Sequence, residues 1–480
     1  MKRFLVIATL IAATAIPSAA SASTPSHADA VRALQEARAA FATPLSSGGA
    51  PNRDATLALR DLALALPALH GADRREADDL LSRPTDKNDR AYFGKEAPDS
   101  PVCDANFCVH WTNDKKNAPD SSGFIDDVRT SVADSFAVEN GALGWQPAKS
   151  DGKLGQRNGV GGEGQVDVYI TDLGRNLYGY ASTDPGQKGS RRYAFLVLDN
   201  DYKGFPSSPL NSMRVTVAHE YNHILQFNYD SYQDVWLFED TATWMEDQVY
   251  PDINDYLNYL PALAKSTDTP FTGNSIKIYS EAVFNHWLSG HYGQQVIRDV
   301  WAASEAGVKP PHLATAAYTK SSVANGGQPF GTEFGAFAAA TAEWNSSPFF
   351  PDADVYPDVR RRGTLTSKVQ KAQLDNTSYR LLKVGAKSGA VTLKVKVSKK
   401  TESTIALIGR EGPVDTGTVT TQILQLPKGG KGTVTLDSVE RFDRVTAAVI
   451  NSDGRVKGQA KNGARRYKGD GTTYKFSLAG

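Results

Sequence analysis

Hydrophobic and polar positions change their rhythm three times along this chain. Between residues 26 and 98 apolar side chains recur at helical spacing, first through Val31, Leu34, Ala37 and Phe41, then through Leu57, Leu59, Leu62, Leu64 and Leu66. Ser46-Ser47-Gly48-Gly49 separates two helices, and Arg83-Pro84-Thr85-Asp86 reads as a stop. From Cys103 to Trp111 the pattern turns extended. A helix is expected from Phe124 to about Val138, and a glycine-rich loop, 152–164, leads into the alternating strand Val166–Ile170. Tyr193–Asp199 reads as a second strand, and Gly204–Pro209 breaks the chain before a long helix. Residues 255–345 are mostly helical in pattern. After about Arg362 come short strands at Tyr379–Val384, Val391–Val397, Thr404–Ile408, Thr433–Leu436 and Val445–Ile450, set apart by glycine and Asn-Ser-Asp-Gly turns. That regular spacing predicts a β-sandwich. The class expected is α+β, with a helix-rich body ahead of an all-β C-terminal domain.

Composition narrows this reading. With 480 residues, 40% hydrophobic and 22% charged, the chain is globular and holds roughly three domains. Collagen-like, disulfide-scaffold and disordered classes are excluded. Lys+Arg and Asp+Glu balance at 53 each, so the whole chain carries no electrostatic footprint for nucleic acid. The balance is uneven in position. Residues 376–480 hold 19 Lys and Arg against 8 Asp and Glu, a net charge of +11. A solvated face is the ordinary meaning; attraction to an acidic cell-surface polymer is the sharper one. Met1-Lys2-Arg3, the apolar run Phe4–Ala15 and Ala20-Ser21-Ala22 read as a signal peptide cleaved near Ala22, hence a secreted protein. After it no apolar run approaches the ~18 residues of a membrane span. In an oxidising compartment Cys103 and Cys108 can form a tight disulfide; free thiols, or a thiolate capping a metal, are the alternatives.

The chemistry sits in the long helix, where His219-Glu220-Tyr221-Asn222-His223 is an HExxH motif. Four residues advance ~400° around a helix, so both imidazoles leave one face about a turn apart, close enough to share one Zn²⁺. Glu220 lies beside them, placed to take a proton from a water that the zinc acidifies. The apolar neighbours Val217, Ala218, Ile224 and Leu225 place the pair at the edge of a core. A catalytic zinc needs a third protein ligand. A metzincin would have Gly at 226 and His at 229; Gln226 and Tyr229 exclude that class. Sixteen residues beyond His223 the segment Trp236–Asp247 carries four carboxylates, among them Glu239, Asp240 and Glu246.

The pairing of HEYNHILQF with WLFEDTATWMED resembles the gluzincin pattern, HExxH followed by W-x-x-E-G-x-A. More widely, the leucine-rich stretch ending in Ser82-Arg83-Pro84-Thr85, the segment Phe107–Trp111 and the strand Val166–Ile170 resemble a family of secreted bacterial metalloproteases. The resemblance runs to about residue 360 and more loosely into the β region. It implies a zincin-like catalytic domain, with His219, His223 and Glu239 as zinc ligands and Glu220 as the catalytic glutamate. Asp240 departs from the pattern, standing where many gluzincins have Gly. Glu246, two turns beyond Glu239, is the alternative ligand.

A donor for the transition-state oxyanion is also needed. Tyr279 is the best placed, ahead of His286 and Tyr292, although a packed aromatic is the ordinary role for such a residue. By analogy with zinc peptidases, Tyr193–Asp199 would be the substrate-binding edge strand. The expected order is signal peptide (1–22), helical propeptide or N-terminal segment (23–98), gluzincin-like metallopeptidase domain (99–362) and β-sandwich accessory domain (363–480). The expected function is that of a monomeric, secreted zinc endopeptidase acting on proteins or peptides. A zinc hydrolase of cell-wall amides, or a binding protein with structural zinc, are the alternatives.

Overall fold

The computed structural model describes residues 25–42, 55–93, 100–156, 160, 164–174, 177–273, 277–305, 313–385, 388–455, 460–461, 464–465 and 471–479. The signal-peptide reading, the Ser46–Gly49 break and much of the glycine-rich loop lie outside these residues. No helix among them is long and apolar enough to cross a membrane.

The chain opens with helices α1 (His27–Ala42), α2 (Thr56–Ala65) and α3 (Gly71–Leu80). A mixed five-stranded sheet follows, made from β1 (Val102–Cys103), β2 (Phe107–His110), β3 (Val166–Thr171), β4 (Gly179–Ser182) and β5 (Phe195–Asp199). Its order is β1-β2-β3-β5-β4; β2, β3 and β5 run parallel, while β1 and β4 are antiparallel to their neighbours. Cys103 and Cys108 face each other across the β1–β2 hairpin and are bonded as a disulfide. Between β2 and β3 lies α4 (Ser122–Phe136), capped by the Ser121 hydroxyl, which accepts from Phe124 N–H.

This topology corrects one expectation. The strand at Tyr193–Asp199 is not an edge, because β5 is hydrogen-bonded on both sides. The edge is β4, a four-residue strand too short to show an alternating pattern in the sequence. Both faces of the sheet are covered, which is why β2 to β5 are buried at every position. Val168, Ile170, Leu196 and Leu198 join the core of the helical body, whereas Tyr169, Tyr180, Phe195 and Val197 pack with α1–α3.

Arg83, just past α3, ties this N-terminal layer to the sheet with charge. Its guanidinium pairs with Asp151 (2.7 Å), Asp184 (2.7 Å) and Asp167, all largely shielded from solvent. His110 Nε2 lies 2.8 Å from the other oxygen of Asp167.

Two crossing helices come next. The 22-residue α5 (Pro209–Asp230) starts with Pro209 in its first turn and the Ser208 hydroxyl accepting from Asn211 N–H. Then α6 (Val235–Val249) crosses it. The rest of the body is α7 (Leu260–Lys265), α8 (Lys277–Ser280), α9 (Ala282–Tyr292), α10 (Gln295–Ser304), α11 (Ala314–Ala324) and α12 (Phe330–Ala340).

Beyond it, β6 (Arg361–Leu365), β8 (Ser378–Val384), β10 (Ser403–Glu411), β11 (Thr418–Leu426) and β13 (Arg444–Asn451) form one sheet, ordered β11-β10-β13-β8-β6. A second, ordered β12-β9-β16-β7, takes β7 (Gln370–Leu374), β9 (Val391–Val397), β12 (Gly430–Leu436) and β16 (Thr472–Leu478). A separate two-stranded ribbon pairs β14 (Ala460–Lys461) with β15 (Ala464–Arg465). The two large sheets enclose one core, with Leu393, Val395 and Phe476 facing Ile405, Leu407 and Val449. The molecule is therefore a mixed α and β structure with C-terminal β sheets. Glu343, after α12, receives Arg361, Arg410 and Arg444 from the β region and binds it to the helical body.

Candidate metal centre

Helices α5 and α6 bring three candidate ligands together. His219 and His223 project from α5 toward Glu239 on α6; each residue offers one ligand atom, and these atoms lie within 4.8 Å of one another, all buried. His219 Nε2 is 3.2 Å and His223 Nε2 3.8 Å from the same oxygen, Glu239 Oε2.

The far side of each ring fixes its tautomer. His219 Nδ1 is 2.7 Å from Glu246 Oε1, and a carboxylate accepts, so Nδ1 carries the hydrogen. His223 Nδ1 is 2.7 Å from Gln226 Oε1. That amide cannot be reversed, because its Nε2 lies 3.1 Å from the Phe238 carbonyl oxygen, which can only accept, with Asn222 Oδ1 and Thr241 Oγ1 also in reach. Both rings thus hold Nδ1–H outward and turn the Nε2 lone pair toward the Glu239 carboxylate. Two imine nitrogens and an anionic oxygen converging in a dry volume repel one another, and a divalent cation reverses that energy. The donor set fits a transition-metal ion with three protein ligands.

The acidic residues of α6 have separate tasks. Glu239 faces the histidines and Glu246 supports His219 from behind. Asp240 turns away into the body, where Tyr318 Oη–H donates to it at 3.0 Å and burial pushes its carboxyl well above the usual range. Asp240 therefore does not compete for the metal, although it stands where many gluzincins have Gly. Removing the support behind His219 gives a direct measurement. Glu246→Ala is expected to weaken metal binding by about 10- to 100-fold with the fold intact, read by competition with a chromophoric chelator.

Glu220, beside His219, is 1% exposed, and its Oε2 accepts from the Thr56 hydroxyl of α2 at 2.9 Å. Thr56 Oγ1 also accepts from the outward-facing Ala181 N–H of edge strand β4, at 2.8 Å. One turn further along α2, Arg60 donates to Gln233 O at 3.0 Å and lies over the Phe238 ring at 4.8 Å. Helix α2 thus spans from the HExxH glutamate to the start of α6, alongside the centre.

Tyr279, on α8, is placed at the site, its ring 6.3 Å from that of His219 and 5.2 Å from that of Tyr259. His286 is not brought there: it packs on Tyr256, and burial lowers its pKa to about 3. Tyr292 donates to Glu333 Oε1 at 2.7 Å, outside the site. The sequence reading missed Gln226, Thr56 and β4. Gln226 was within reach, since it stands three residues after His223 on the same helix face. Thr56 carried no local signal, its partner being 164 residues away.

A model described as "Family of unknown function (DUF6055)" matches residues 206–387, the stretch from α5 to the start of the β region. No curated protein matches the sequence. Among solved structures the chain is similar to one titled "Family 16 Carbohydrate Binding Module-2", with TM-score 0.15 and 11% identity over 24% of this chain and 73% of that one. It is also similar to "Crystal structure of Legionella pneumophila aminopeptidase A in complex with aspartic acid", with TM-score 0.34 and 12% identity, covering 70% of this chain but only 34% of the aminopeptidase. Scores this low establish no shared fold.

Proposed function

We propose that this protein is a secreted zinc metalloendopeptidase of gluzincin type, related to the secreted bacterial metalloproteases its motifs resemble. The observation that carries the reading is the convergence of His219, His223 and Glu239 with both Nδ1–H groups locked outward, beside a carboxylate, Glu220, that is not one of the three ligands. A site built only to hold its metal has no use for that extra base.

His219, His223 and Glu239 would hold the ion, with Glu246 and Gln226 keeping the two rings in register. Zn²⁺ bound there supplies Lewis acidity, polarising a peptide carbonyl and making water a stronger acid. Glu220 takes the proton of the attacking water and returns it to the leaving amine. Tyr279 donates to the oxyanion as it forms. Strand β4 offers the main chain of an extended substrate an edge to pair with, which suits cleavage within a chain rather than at its end. Thr56 of α2 takes the Ala181 N–H of that edge, which supports reading this arrangement as a closed form.

Zinc content of the intact chain and casein hydrolysis by the form freed of its N-terminal helices test the proposal together. One equivalent of zinc is expected, with activity lost on treatment with 1,10-phenanthroline and regained with added Zn²⁺. Protein without zinc affinity would end the reading. One equivalent of zinc with activity only on peptidoglycan amides would move the substrate from protein to cell wall.

A further inference from the structure

The outer face of the second sandwich sheet carries a row of lysines that its strand register sets directly opposite one another. Lys431 on β12 pairs with Lys396 on β9, Lys396 with Lys475 on β16, and Lys475 with Lys371 on β7. All four are exposed, and they run straight across the sheet. At about 4.8 Å per strand the row spans roughly 14 Å. Lys394, also exposed, stands one step along between Thr433 and Ser477.

Like charges directly opposite are destabilising in a sheet, and a Glu or Asp at alternate places would have turned each pair into an attraction. Lysine on an edge strand guards against edge-to-edge pairing. That accounts for Lys371 and Lys431 on the outer strands. It leaves Lys396 and Lys475, which sit on the two inner strands with no edge to guard. The remaining outward positions on these strands are hydroxyls and an amide: Gln373, Thr392, Thr433, Thr435, Thr473 and Ser477. They include no carboxylate, and no ion pair is formed by any of the five lysines among the described residues.

We infer that this face binds a linear, carboxylated polysaccharide, laid along the lysine row with its acidic groups on the ammonium groups and its hydroxyls on the flanking Thr, Ser and Gln side chains. Charge complementarity sets the sign of the ligand, and the rest of the face sets its class. Single-stranded nucleic acid is held by aromatic platforms as well as charge, and no outward position here is aromatic. A membrane-binding face pairs its cations with an apolar surface, and among the described residues the exposed large apolar side chain bordering the row is Val369, 59% exposed, while Val395 and Phe476 beneath it are buried. The inference is independent of the metal centre and places the β region as the part that holds the protein on an acidic matrix.

The test is binding of the full chain to polygalacturonate, by titration calorimetry at physiological and raised salt. The expected result is saturable binding that weakens with salt. Lys396→Gln/Lys475→Gln should lower affinity about tenfold, while its thermal midpoint holds or rises because a repulsion has been removed. A control, Lys383→Gln/Lys320→Gln, removes the same charge away from this face and should bind like the wild type. Equal loss in both variants would reduce the effect to net charge and overturn the inference. So would no binding of polygalacturonate, or tighter binding of oligothymidylate or of phosphatidylglycerol vesicles.

Discussion

Glu220→Gln is expected to reduce casein hydrolysis, assayed once the N-terminal helices have been removed, by about 10²- to 10⁴-fold while leaving one equivalent of zinc in place. The substitution keeps shape and the acceptor oxygen, so the Thr56 hydroxyl retains its partner and the packing of α5 is undisturbed. What it removes is the ability to take up a proton. Zinc retention is expected because the ligands, and the Glu246 and Gln226 contacts that orient them, are unaltered. The variant should therefore separate two roles that alanine at His219 or His223 would remove together. Activity within tenfold of the wild type would show that Glu220 is not the base. Loss of zinc along with activity would show that its carboxylate supports the ligand set instead.

How much of this was legible in the sequence depends on the range over which each feature is encoded. The HExxH helix is local: spacing alone puts two imidazoles on one face, and Ser208-Pro209 marks its start. By spacing alone Glu239 was one of several carboxylates on the next helix; the gluzincin resemblance singled it out, with Glu246 as the alternative. Packing separates the tasks, sending Asp240 toward Tyr318 and Glu246 behind His219. The β region announced itself by short, regularly spaced strands, and its basic charge was countable. That four of those lysines line up depends on register, which no single strand contains. Strand order was invisible too. Tyr193–Asp199 looked like an edge because it precedes the active helix, yet the edge is supplied by Gly179–Ser182, whose four buried residues give no periodicity. The N-terminal leucines read correctly as helix, but nothing in them indicated a partner in the HExxH motif.

That last contact leads to the second large expected effect: the intact chain should be nearly inactive, and removal of its N-terminal helices should raise activity on the order of 100-fold. The factor corresponds to an open state populated at about 1%. Thr56 takes both groups that a bound substrate would need, the Glu220 carboxylate and the outward-facing N–H of Ala181 on the edge strand. A cut in the chain is not expected to suffice. Leu34, Leu59, Leu62 and Leu66 are each no more than 2% exposed in the cluster shared with the sheet. Burial of one such side chain is worth roughly 1.5–3 kcal/mol, and Arg83 adds a buried charge held by three aspartates. Nicked protein with the fragment still docked should therefore stay latent, and activity should appear as the fragment dissociates or is digested. Gel filtration of nicked samples, assayed on casein before and after the fragment separates, follows this directly. A second readout does not depend on how well the stripped protein holds its fold: the rate at which a chelator extracts zinc should be slower from the intact chain than from the processed one. If the intact chain hydrolyses casein and yields its zinc as fast as the processed form, α2 does not bar the site, and the Thr56 contact is only a packing contact.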